Sequence, residues 1–415
     1  MVRIEADVLI PGTGAPIRNG CVVFDDATIS FAGPIEDAPK ASERMETVRV
    51  PAAMPGLWEV HGHFFGIRTA NVEEVVRTPM PVMASRSVKD AERALQAGIT
   101  SVREVGGLGV YLARVVNEGT VNGPHIYGAG AVLSQTGGHG DLHSYPIEWL
   151  TSLGRGGFSV LCDGVPECLK GVRAQLRLGA KVIKVLASGG VMSELDDPIH
   201  QQFSDEELRA IVQEAARADR VVAAHCHGKP GIVAALRAGC KTIEHGTFLD
   251  EEAAALMIER DAILVPTRFI LERLFKFGKQ IGMPDYAYEK AAAVVGRHHE
   301  ALKLAVRKGV RMAMGTDIFY SPGPDAPIAW GMNAHELVYF VDAGMRPERA
   351  IEAATANGPL TLGPQAPKSG QLRAGYDADV LAVSRDPVRS VEALTSPENI
   401  THVWKSGRLV KTLRE

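Results

Sequence analysis

Eight short runs of apolar and β-branched residues recur through the middle of the chain, and most are separated by helix-like segments. Runs of this kind are typical of buried strands. Strands that alternate with helices predict an α/β fold, the (β/α)8 TIM barrel. An open doubly wound sheet is the alternative, but no GxGxxG sequence follows the first run. The runs are GLWEVHGHF (56–64), GITSVREVG (98–106), HIYGAGAVLS (125–134), AKVIKVLAS (180–188), RVVAAHCHG (220–228), CKTIEHG (240–246), AILVPTRF (262–269) and VRMAMGTD (310–317).

Both ends of the chain are rich in strand-like sequence. The segment CVVFDDATISFAG (21–33) predicts a hairpin that turns at Asp25 and Asp26. The segment THVWKSGRLVKT (401–412) predicts another hairpin, with its turn at Ser406 and Gly407. We therefore expect the two ends to meet in one small sheet domain beside the barrel.

Composition excludes several classes of protein. The chain has 415 residues and a formal net charge of −4, so no excess of positive charge indicates binding to nucleic acid or to an anionic membrane. No apolar run is long enough to span a bilayer, and the first residues lack the pattern of a secretory signal. The five cysteines are scattered and form no CxxC, which predicts neither a disulfide framework nor a cysteine zinc site. We therefore expect a cytoplasmic protein.

Side chains that can bind metal end the predicted strands, where a barrel carries its chemistry. His61 and His63 show the pattern, because a spacing of two places both imidazoles on one face of a strand. Histidine nitrogens together with a carboxylate suit zinc or a similar transition metal. These candidate ligands are more than one tetrahedral metal ion can bind, so they predict two metal ions with a bridging ligand. The candidate ligands are His61, His63, Lys184, His225, His227, His245 and Asp317.

Lys184 lies among apolar residues in the fourth run, where a charged ammonium is costly. Burial lowers the pKa of a lysine, and its neutral amine can capture carbon dioxide to form a carbamate. A carbamate has two oxygens, one for each of two metals. The alternative is a buried lysine paired with an acid such as Glu104 or Glu244, which would leave the histidines unexplained.

The order of these motifs resembles the amidohydrolase superfamily with a binuclear metal centre. The resemblance covers essentially the whole chain and rests on PGLWEVHGH, KVIKVLASGGVMS, AHCHGKPGI, TIEHGTF, GTD and GQLRAGYDADVLAV. LSQTGGHGD and HGKPGIVAALRAGCKTIEH are most similar to the imidazolonepropionase-related dipeptidases, a group with Xaa-Pro and Xaa-Arg dipeptidases and ochratoxinase-like amidohydrolases. The resemblance implies a (β/α)8 barrel over residues 55–364 and a small β-sandwich domain built from residues 1–54 and 365–415.

The resemblance also implies two divalent metal ions, expected to be zinc, at the mouth of the barrel. One pair of histidines binds the more buried metal, and two later histidines bind the second. A lysine carboxylated by carbon dioxide bridges the metals, and the final aspartate contacts the first metal and the bridging water. These residues are, in that order, His61 and His63, His225 and His245, Lys184, and Asp317.

Further residues are expected to contact the substrate. His227 would polarise the substrate carbonyl without binding metal, and His139 matches the substrate-contacting histidine of the group. A substrate carboxylate needs a cation, for which Lys229, Arg268 and His139 are the candidates.

Two other features bear on the predicted site. Residues 135–157 and 320–329 follow the third and eighth runs and are expected to form loops that cover the substrate. His298 lies in the helical pattern AAAVVGRHHEALKLAV and is expected on a solvated or packed helix face.

The expected reaction is amide hydrolysis. A hydroxide that bridges the metals attacks the carbonyl, Asp317 passes its proton to the leaving amine, and the second metal and His227 stabilise the oxyanion. The expected substrate is a small molecule, an N-acyl amino acid or dipeptide with a free C-terminal carboxylate, and an ochratoxin-like amide is one case. Hydrolysis of a cyclic amide, carbamate or lactone is an alternative, and an inactive metal-bound scaffold is another. Proteins of this group are often homo-oligomers, and we expect the same here.

Overall fold

Helices and strands alternate through the middle of the chain, and strands dominate both ends. The two expected substrate-covering loops, residues 135–157 and 320–329, each include residues outside the described part of the chain. The computed structural model describes residues 1–43, 45–153, 157–323 and 326–413, without the side chains of residues 151–153.

The secondary structure comprises strands and helices with the following bounds. The strands are β1 (Val2–Leu9), β2 (Ile17–Asp25), β3 (Thr28–Pro34), β4 (Glu46–Pro55), β5 (Leu57–Gly62), β6 (Ile99–Glu104), β7 (His125–Gly128), β8 (Val132–Ser134), β9 (Ser159–Leu161), β10 (Ile183–Leu186), β11 (Val222–Cys226), β12 (Thr242–His245), β13 (Ile263–Val265), β14 (Val380–Val383), β15 (Ile400–Lys405) and β16 (Arg408–Thr412). The helices are α1 (Glu74–Arg77), α2 (Met80–Gln96), α3 (Gly109–Asn117), α4 (Ile147–Leu153), α5 (Gly164–Leu178), α6 (Asp205–Ala216), α7 (Lys229–Ala238), α8 (Glu251–Glu259), α9 (Arg268–Phe277), α10 (Asp285–Lys308), α11 (His335–Asp342), α12 (Pro347–Ala353) and α13 (Asn357–Leu360).

Strands from both ends of the chain form one seven-stranded sheet in the order β16-β15-β14-β4-β1-β2-β3. β4 pairs in parallel with β1 and antiparallel with β14, so the C-terminal strands continue the N-terminal sheet. Both predicted hairpins are confirmed, with turns at Asp26 and at Ser406 and Gly407. Phe24 and Trp404 pack edge to face in the core of this sheet, with ring centroids 6.1 Å apart.

The middle of the chain is an α/β fold built on parallel strands. β5, β6 and β7 form a three-stranded sheet, and a six-stranded sheet has the order β13-β12-β11-β10-β8-β9. Side chains of these strands meet in an interior apolar cluster that includes Trp58, Val182, Ala223 and Ile263.

Hydrogen bonds connect the two parallel sheets on both sides. On one side, the Leu264 amide in β13 donates to the Arg311 carbonyl, and an amide of β5 donates to the Met314 carbonyl, each over 2.9 Å. On the other side, the Lys181 amide, just before β10, donates to the last carbonyl of β7 over 2.9 Å. The eighth predicted run thus lies between β13 and β5, and it makes isolated bridges to them instead of a regular strand.

The third predicted run divides into two strands. Gly130, between β7 and β8, has a φ of 75°, a left-handed conformation in which a strand cannot continue. β8 then pairs with β10 and β9 instead of extending β7. β9 was not among the predicted strands.

Three further features complete the fold. α6 begins with a capping box, in which Ser204 Oγ accepts from the Glu207 amide and the Glu207 carboxylate accepts from the Ser204 amide. All five cysteines are buried with free thiols. Across the described residues, we find no helix that combines the length and the apolar composition needed to cross a bilayer.

Candidate active site

The carboxyl ends of the parallel strands surround a cavity of about 120 Å³. All seven metal-binding candidates from the sequence line this cavity, and so does His139. The apolar part of the lining includes Phe65, Phe158, Met192, Ile270, Leu274 and Phe319. Polar and apolar side chains therefore line the same cavity.

The first HxH pair, His61 and His63, faces a single carboxylate. His63 Nε2 lies 3.1 Å from Asp317 Oδ1, and His61 Nε2 lies 3.5 Å from the same oxygen. His61 Nδ1 donates to Glu244 Oε2 over 2.7 Å. His63 Nδ1 donates to the Gly106 carbonyl over 2.7 Å. Each ring therefore has its Nδ1 engaged and its Nε2 turned toward Asp317.

Glu244 is fully buried and remains ionised. Arg103 Nη2 donates to both of its oxygens, over 2.8 and 2.9 Å. Burial would raise the pKa of Glu244, but the charge of Arg103 and the hydrogen bond from His61 hold it well below its usual range. Burial and the charge of Lys184 lower the pKa of His61 to about 4, so this imidazole is neutral at pH 7.

Asp317 is held in a conformation that is uncommon for a residue other than glycine, with a φ of 61°. Its amide donates to the His61 carbonyl over 2.6 Å, which fixes its backbone to the first HxH pair. Burial would raise the pKa of Asp317, but its interactions with His61 and His63 lower it below its ordinary value. The carboxylate is therefore ionised beside two imidazoles.

Lys184, in β10, is only 2% exposed. Its Nζ lies 3.5 Å from His61 Nε2, and no carboxylate oxygen of the described residues lies within 4.0 Å of it. The alternative of a lysine paired with Glu104 or Glu244 is therefore not what the structure shows. Burial lowers the pKa of Lys184 to about 8, against the opposing charge of Glu244. About a tenth of such an amine is neutral at pH 7.

The second HxH pair, His225 and His227, ends β11 with rings at 80° to each other. His225 Nε2 lies 3.2 Å from the Gly189 carbonyl, which leaves Nδ1 as its free nitrogen. His227 Nδ1 is hydrogen-bonded to Thr247 Oγ1 at 2.6 Å, which leaves Nε2 free. Burial, followed by the charge of His139, lowers the pKa of His227 to about 3.

His245 joins the two HxH pairs. Its Nδ1 is hydrogen-bonded to Thr267 Oγ1 at 2.7 Å. One of its ring nitrogens lies within 4.8 Å of ring nitrogens of His225 and His227. His245 also forms a second group of three with His61 and Asp317, whose possible ligand atoms all lie within 4.8 Å of one another. Two clusters of donors therefore share one histidine.

The donor set fits divalent metal ions. Metal-binding histidines are neutral and have their second ring nitrogen hydrogen-bonded to a carboxylate, carbonyl or hydroxyl, and every histidine of the two clusters has such a partner. His227 offers a nitrogen to the same cluster as His225 and His245. The geometry thus places His227 where it can reach either a metal or a substrate.

Lys229, one of the three candidate cations for a substrate carboxylate, pairs with surface carboxylates in the structure. Lys229 is not among the described residues that line the cavity. It begins α7, and its Nζ lies 2.6 Å from Oδ2 of Asp250, the residue just before α8. The same Nζ lies 2.7 Å from Oε2 of Glu252 in α8. The ammonium is therefore occupied by surface carboxylates.

Arg268, the second candidate cation, is also engaged by other groups of the protein. It is buried, but it is not among the described residues that line the cavity. Its guanidinium donates to the Val295 carbonyl over 2.6 Å and pairs with Glu272 one helical turn along α9. The position just after β13 is near the cavity, but the side chain points between α9 and α10. His139 is thus the one predicted carboxylate contact that the structure places in the cavity.

Two residues that support the site were not predicted from the sequence to have a function. His298 on α10 lines the cavity, and its Nε2 lies 2.7 Å from the Pro266 carbonyl. Its helical spacing was a usable signal, because it falls on the buried face of α10, formed by Ala287, Ala291, Val294, His298, Ala301, Leu302 and Ala305.

Glu59 is the second such residue. It accepts from the amides of His61 and Thr316 over 2.8 and 3.0 Å, and from the Asn333 side chain over 2.7 Å. Burial raises the pKa of Glu59 to about 7 in spite of these bonds. Glu59 therefore joins β5 to the segment that carries Asp317.

Comparisons with known proteins agree with this geometry. The model of the Amidohydrolase family matches residues 52–410. Ochratoxinase from Aspergillus niger is 45% identical, and the match covers 98% of this chain and 86% of the ochratoxinase. The predicted resemblance to amidohydrolases of the ochratoxinase type is confirmed.

Solved structures give the same result. The crystal structure of A. niger ochratoxinase has a TM-score of 0.90 at 42% identity and covers 99% of this chain and 95% of its own. A prolidase in complex with N-methylphosphonate-L-proline has a TM-score of 0.91 at 30% identity, over 99% and 100%. A Xaa-Pro dipeptidase with methionine bound in its active site has a TM-score of 0.86 at 30% identity, over 99% of each chain.

Proposed function

We propose that this chain, which belongs to the amidohydrolase family, is a metal-dependent hydrolase. Its proposed substrates are the amide bonds of N-acyl amino acids or dipeptides. The observation that carries the proposal is the convergence of an ionised Asp317, neutral histidines and the buried Lys184 on one cavity. Acid–base catalysis at an amide needs such a carboxylate within reach of the reacting atoms.

We extend the proposal to the architecture. Seven strands, β5, β6, β7, β10, β11, β12 and β13, with residues 311–318 as the eighth element, would form a closed (β/α)8 barrel over residues 55–364. The hydrogen bonds that link the two parallel sheets on both sides support closure. The seven-stranded sheet supports a β-sandwich domain built from residues 1–54 and 365–415.

Two divalent metal ions, with zinc as the proposed metal, would lie at the cavity floor. When bound, such ions polarise a carbonyl oxygen and lower the pKa of a water to about 7. The proposed ligands are His61, His63 and Asp317 for one metal, His225 and His245 for the other, and carboxylated Lys184 between them.

The proposed bridge forms when the neutral amine of Lys184 attacks carbon dioxide. A nitrogen–carbon bond forms, one proton leaves the nitrogen, and an anion with two oxygens replaces a cation. The lowered pKa of Lys184, about 8, supports this step because only the unprotonated amine has the lone pair. The absence of a carboxylate within 4.0 Å among the described residues also supports it, because no ion pair competes for the amine.

The chain's own residues would move the proton. Asp317, ionised beside the first HxH pair, accepts a proton from the attacking water and donates it to the nitrogen of the leaving amine. His227, whose Nδ1 is held by Thr247, presents Nε2 toward the substrate carbonyl and stabilises the negative charge that develops there.

The favoured substrate has a free carboxylate and an apolar portion. The apolar walls of the cavity suit an aromatic or aliphatic side chain. The relatives support an amino acid product, since one is an ochratoxinase, one a prolidase and one a Xaa-Pro dipeptidase with bound methionine. His139 is the residue that we retain for contact with the substrate.

The test is release of free amino acid from a panel of N-acyl amino acids and dipeptides by the zinc-loaded chain. The Asp317→Asn variant is expected to retain bound metal and to lose about 10²- to 10⁴-fold in kcat, which is the range of general acid–base catalysis. Asp250→Asn is a matched control, because Asp250 lies at the surface against Lys229. Full turnover by Asp317→Asn with metal bound would refute the assignment of the acid and base.

A further inference from the structure

The loop of residues 189–202, which follows β10, binds both the backbone and the ring of His139. The His139 amide donates to Gln202 Oε1 over 3.0 Å. His139 Nδ1 lies 2.7 Å from Ser193 Oγ, and the Ser193 hydroxyl contacts the Asp196 carboxylate. A chain of three side chains thus extends from the cavity into this loop.

The hydrogen bonds that Asp196 accepts fix the direction of the bonds in this chain. Asp196 Oδ2 accepts from the Gly190 amide over 3.0 Å and from Gln202 Nε2 over 3.1 Å. A carboxylate in this role only accepts, so Ser193 donates its single hydroxyl proton to Asp196. The Ser193 oxygen therefore accepts from His139 Nδ1–H. His139 Nε2 then carries a lone pair, so it can accept a hydrogen bond from an N–H or O–H of the substrate but cannot donate to a substrate carboxylate.

Lys290 fastens this loop to a distant helix. Its Nζ donates to the Ser193 carbonyl over 2.7 Å and to the Gly190 carbonyl over 3.3 Å. Nζ also lies 3.3 Å from Asp196 Oδ1, and the lysine side chain is 19% exposed. Lys290 belongs to α10, which follows β13, so one ammonium holds together two sides of the cavity mouth.

The ring of His139 has little room to move. It stacks on His225 with centroids 4.4 Å apart and an angle of 29°. A Cβ on residue 190 would lie 2.1 Å from Cε1 of His139, so glycine at this position makes room for the ring. Packing and hydrogen bonds therefore specify the same orientation.

We propose that Ser193, Asp196 and Lys290 are positioning residues that hold His139 with Nδ1–H engaged and Nε2 presented to the substrate. The proposal rests on the proposed function, because it takes His139 as a substrate contact. None of the three is among the described residues that line the cavity, so they act through His139. A misplacement of a contacting group by about 1 Å can cost about 10²-fold in rate.

The kinetic test is a double-mutant cycle on amide hydrolysis by the full zinc-loaded chain. Ser193→Ala is expected to lower kcat/KM by about 10- to 100-fold in the wild-type background. In the His139→Ala background the same substitution is expected to cost less than about twofold, because residues that act through one group are not additive. Equal losses in the two backgrounds would overturn the proposal.

Lys290→Met gives a second cycle with a matched control on the same helix. Lys303, whose Nζ lies 3.2 Å from Glu300, is exposed on α10 and serves for comparison. Lys290→Met is expected to lower kcat/KM by about tenfold, and only where His139 is present, whereas Lys303→Met leaves it unchanged. Equal effects of the two lysine substitutions would also overturn the proposal.

Nitrogen-15 NMR of the histidine rings requires no substrate. The signals of His139, assigned from their loss in His139→Ala, are expected to report a hydrogen on Nδ1 that Ser193→Ala releases. A chain that hydrolyses no amide but shows this Nδ1–H supports the positioning network and refutes the proposed function alone. An active chain whose His139 carries its hydrogen only on Nε2 overturns the network and leaves the function standing.

Discussion

The two HxH pairs have the same spacing at the ends of two parallel strands, yet their rings face different partners. Both Nε2 atoms of the first pair, His61 and His63, approach one oxygen of Asp317. The rings of the second pair, His225 and His227, stand at 80°, and each has a different ring nitrogen engaged. The spacing of two along a strand therefore places both histidines on one face, but it does not decide which ring nitrogen of each histidine is available to a metal or a substrate.

The groups behind the rings differ in charge. Behind the first pair, His61 donates to Glu244, an ionised carboxylate held by Arg103 in a fully buried pair. Behind the second pair, His227 has only the neutral hydroxyl of Thr247. A charged partner raises the basicity of a ligand more than a hydroxyl does, so His61 is the better equipped to bind metal and His227 the better equipped to contact substrate.

The largest expected effect comes from removing one ring of each pair. His61→Asn is expected to lose one of about two metal ions per chain and at least about 10³-fold in kcat, because a metal contributes several kcal/mol to transition-state stabilisation. His227→Asn is expected to keep about two metal ions and to lose about 10²- to 10³-fold in kcat, as for a donor to a developing oxyanion. Elemental analysis and steady-state kinetics measure both.

His227 also belongs to a cluster of donors with His225 and His245, so the metal content of His227→Asn decides between its two possible roles. Loss of one metal ion from this variant would show that the second HxH pair is a ligand pair like the first. The comparison between the pairs would then fail.

A smaller effect is expected from the groups behind the rings. Glu244→Gln is expected to weaken metal binding by about 10- to 100-fold, because it removes the charge behind His61. Thr247→Val removes one neutral hydrogen bond from His227, worth about 1 kcal/mol, and is expected to lower kcat by about fivefold with metal affinity unchanged. Metal titration against a chelator separates the two variants, and equal losses of affinity would contradict the difference in charge.

The smallest expected effect concerns the residue between the two histidines of each pair. A Cβ on Gly62 would lie 2.5 Å from Cη2 of Trp330, so Gly62→Ala is expected to lower the free energy of unfolding by about 1 to 3 kcal/mol. Cys226 is buried without such a conflict, and Cys226→Ala is expected to cost about 1 kcal/mol through its lost buried area. Denaturant unfolding measures both, and an equally stable Gly62→Ala would show that Trp330 can move aside.

The positions of site residues on predicted strands could be predicted for two reasons. Side chains alternate between the two faces of a strand, and functional residues of parallel α/β folds lie at the carboxyl ends of the strands. His61, Lys184, His245 and Asp317 share one cavity for this reason, although they are far apart in sequence. The hairpin turns followed in the same way from local turn chemistry. These predictions need only the backbone pattern and no knowledge of what packs against it.

The partners of Arg268 and Lys290 were not predictable, because the direction of a side chain on a helix depends on tertiary packing. Arg268 follows β13 as expected, but its guanidinium pairs with Glu272 on its own helix. Lys290 lies on a long helix with many charged residues, and nothing local distinguishes it from Lys303. Gly130 shows the same limit for a strand, since one left-handed residue divides the third run into two strands.

The proposed function depends most on Lys184 as a carbamate between two metal ions. Metal-free protein can be supplied with carbon-13 bicarbonate and zinc, then measured by carbon-13 NMR and by elemental analysis. We predict about one labelled carbamate carbon and about two zinc ions per chain in the wild type, with the labelled carbon absent from Lys184→Met. Two zinc ions bound without any labelled carbon would contradict the account.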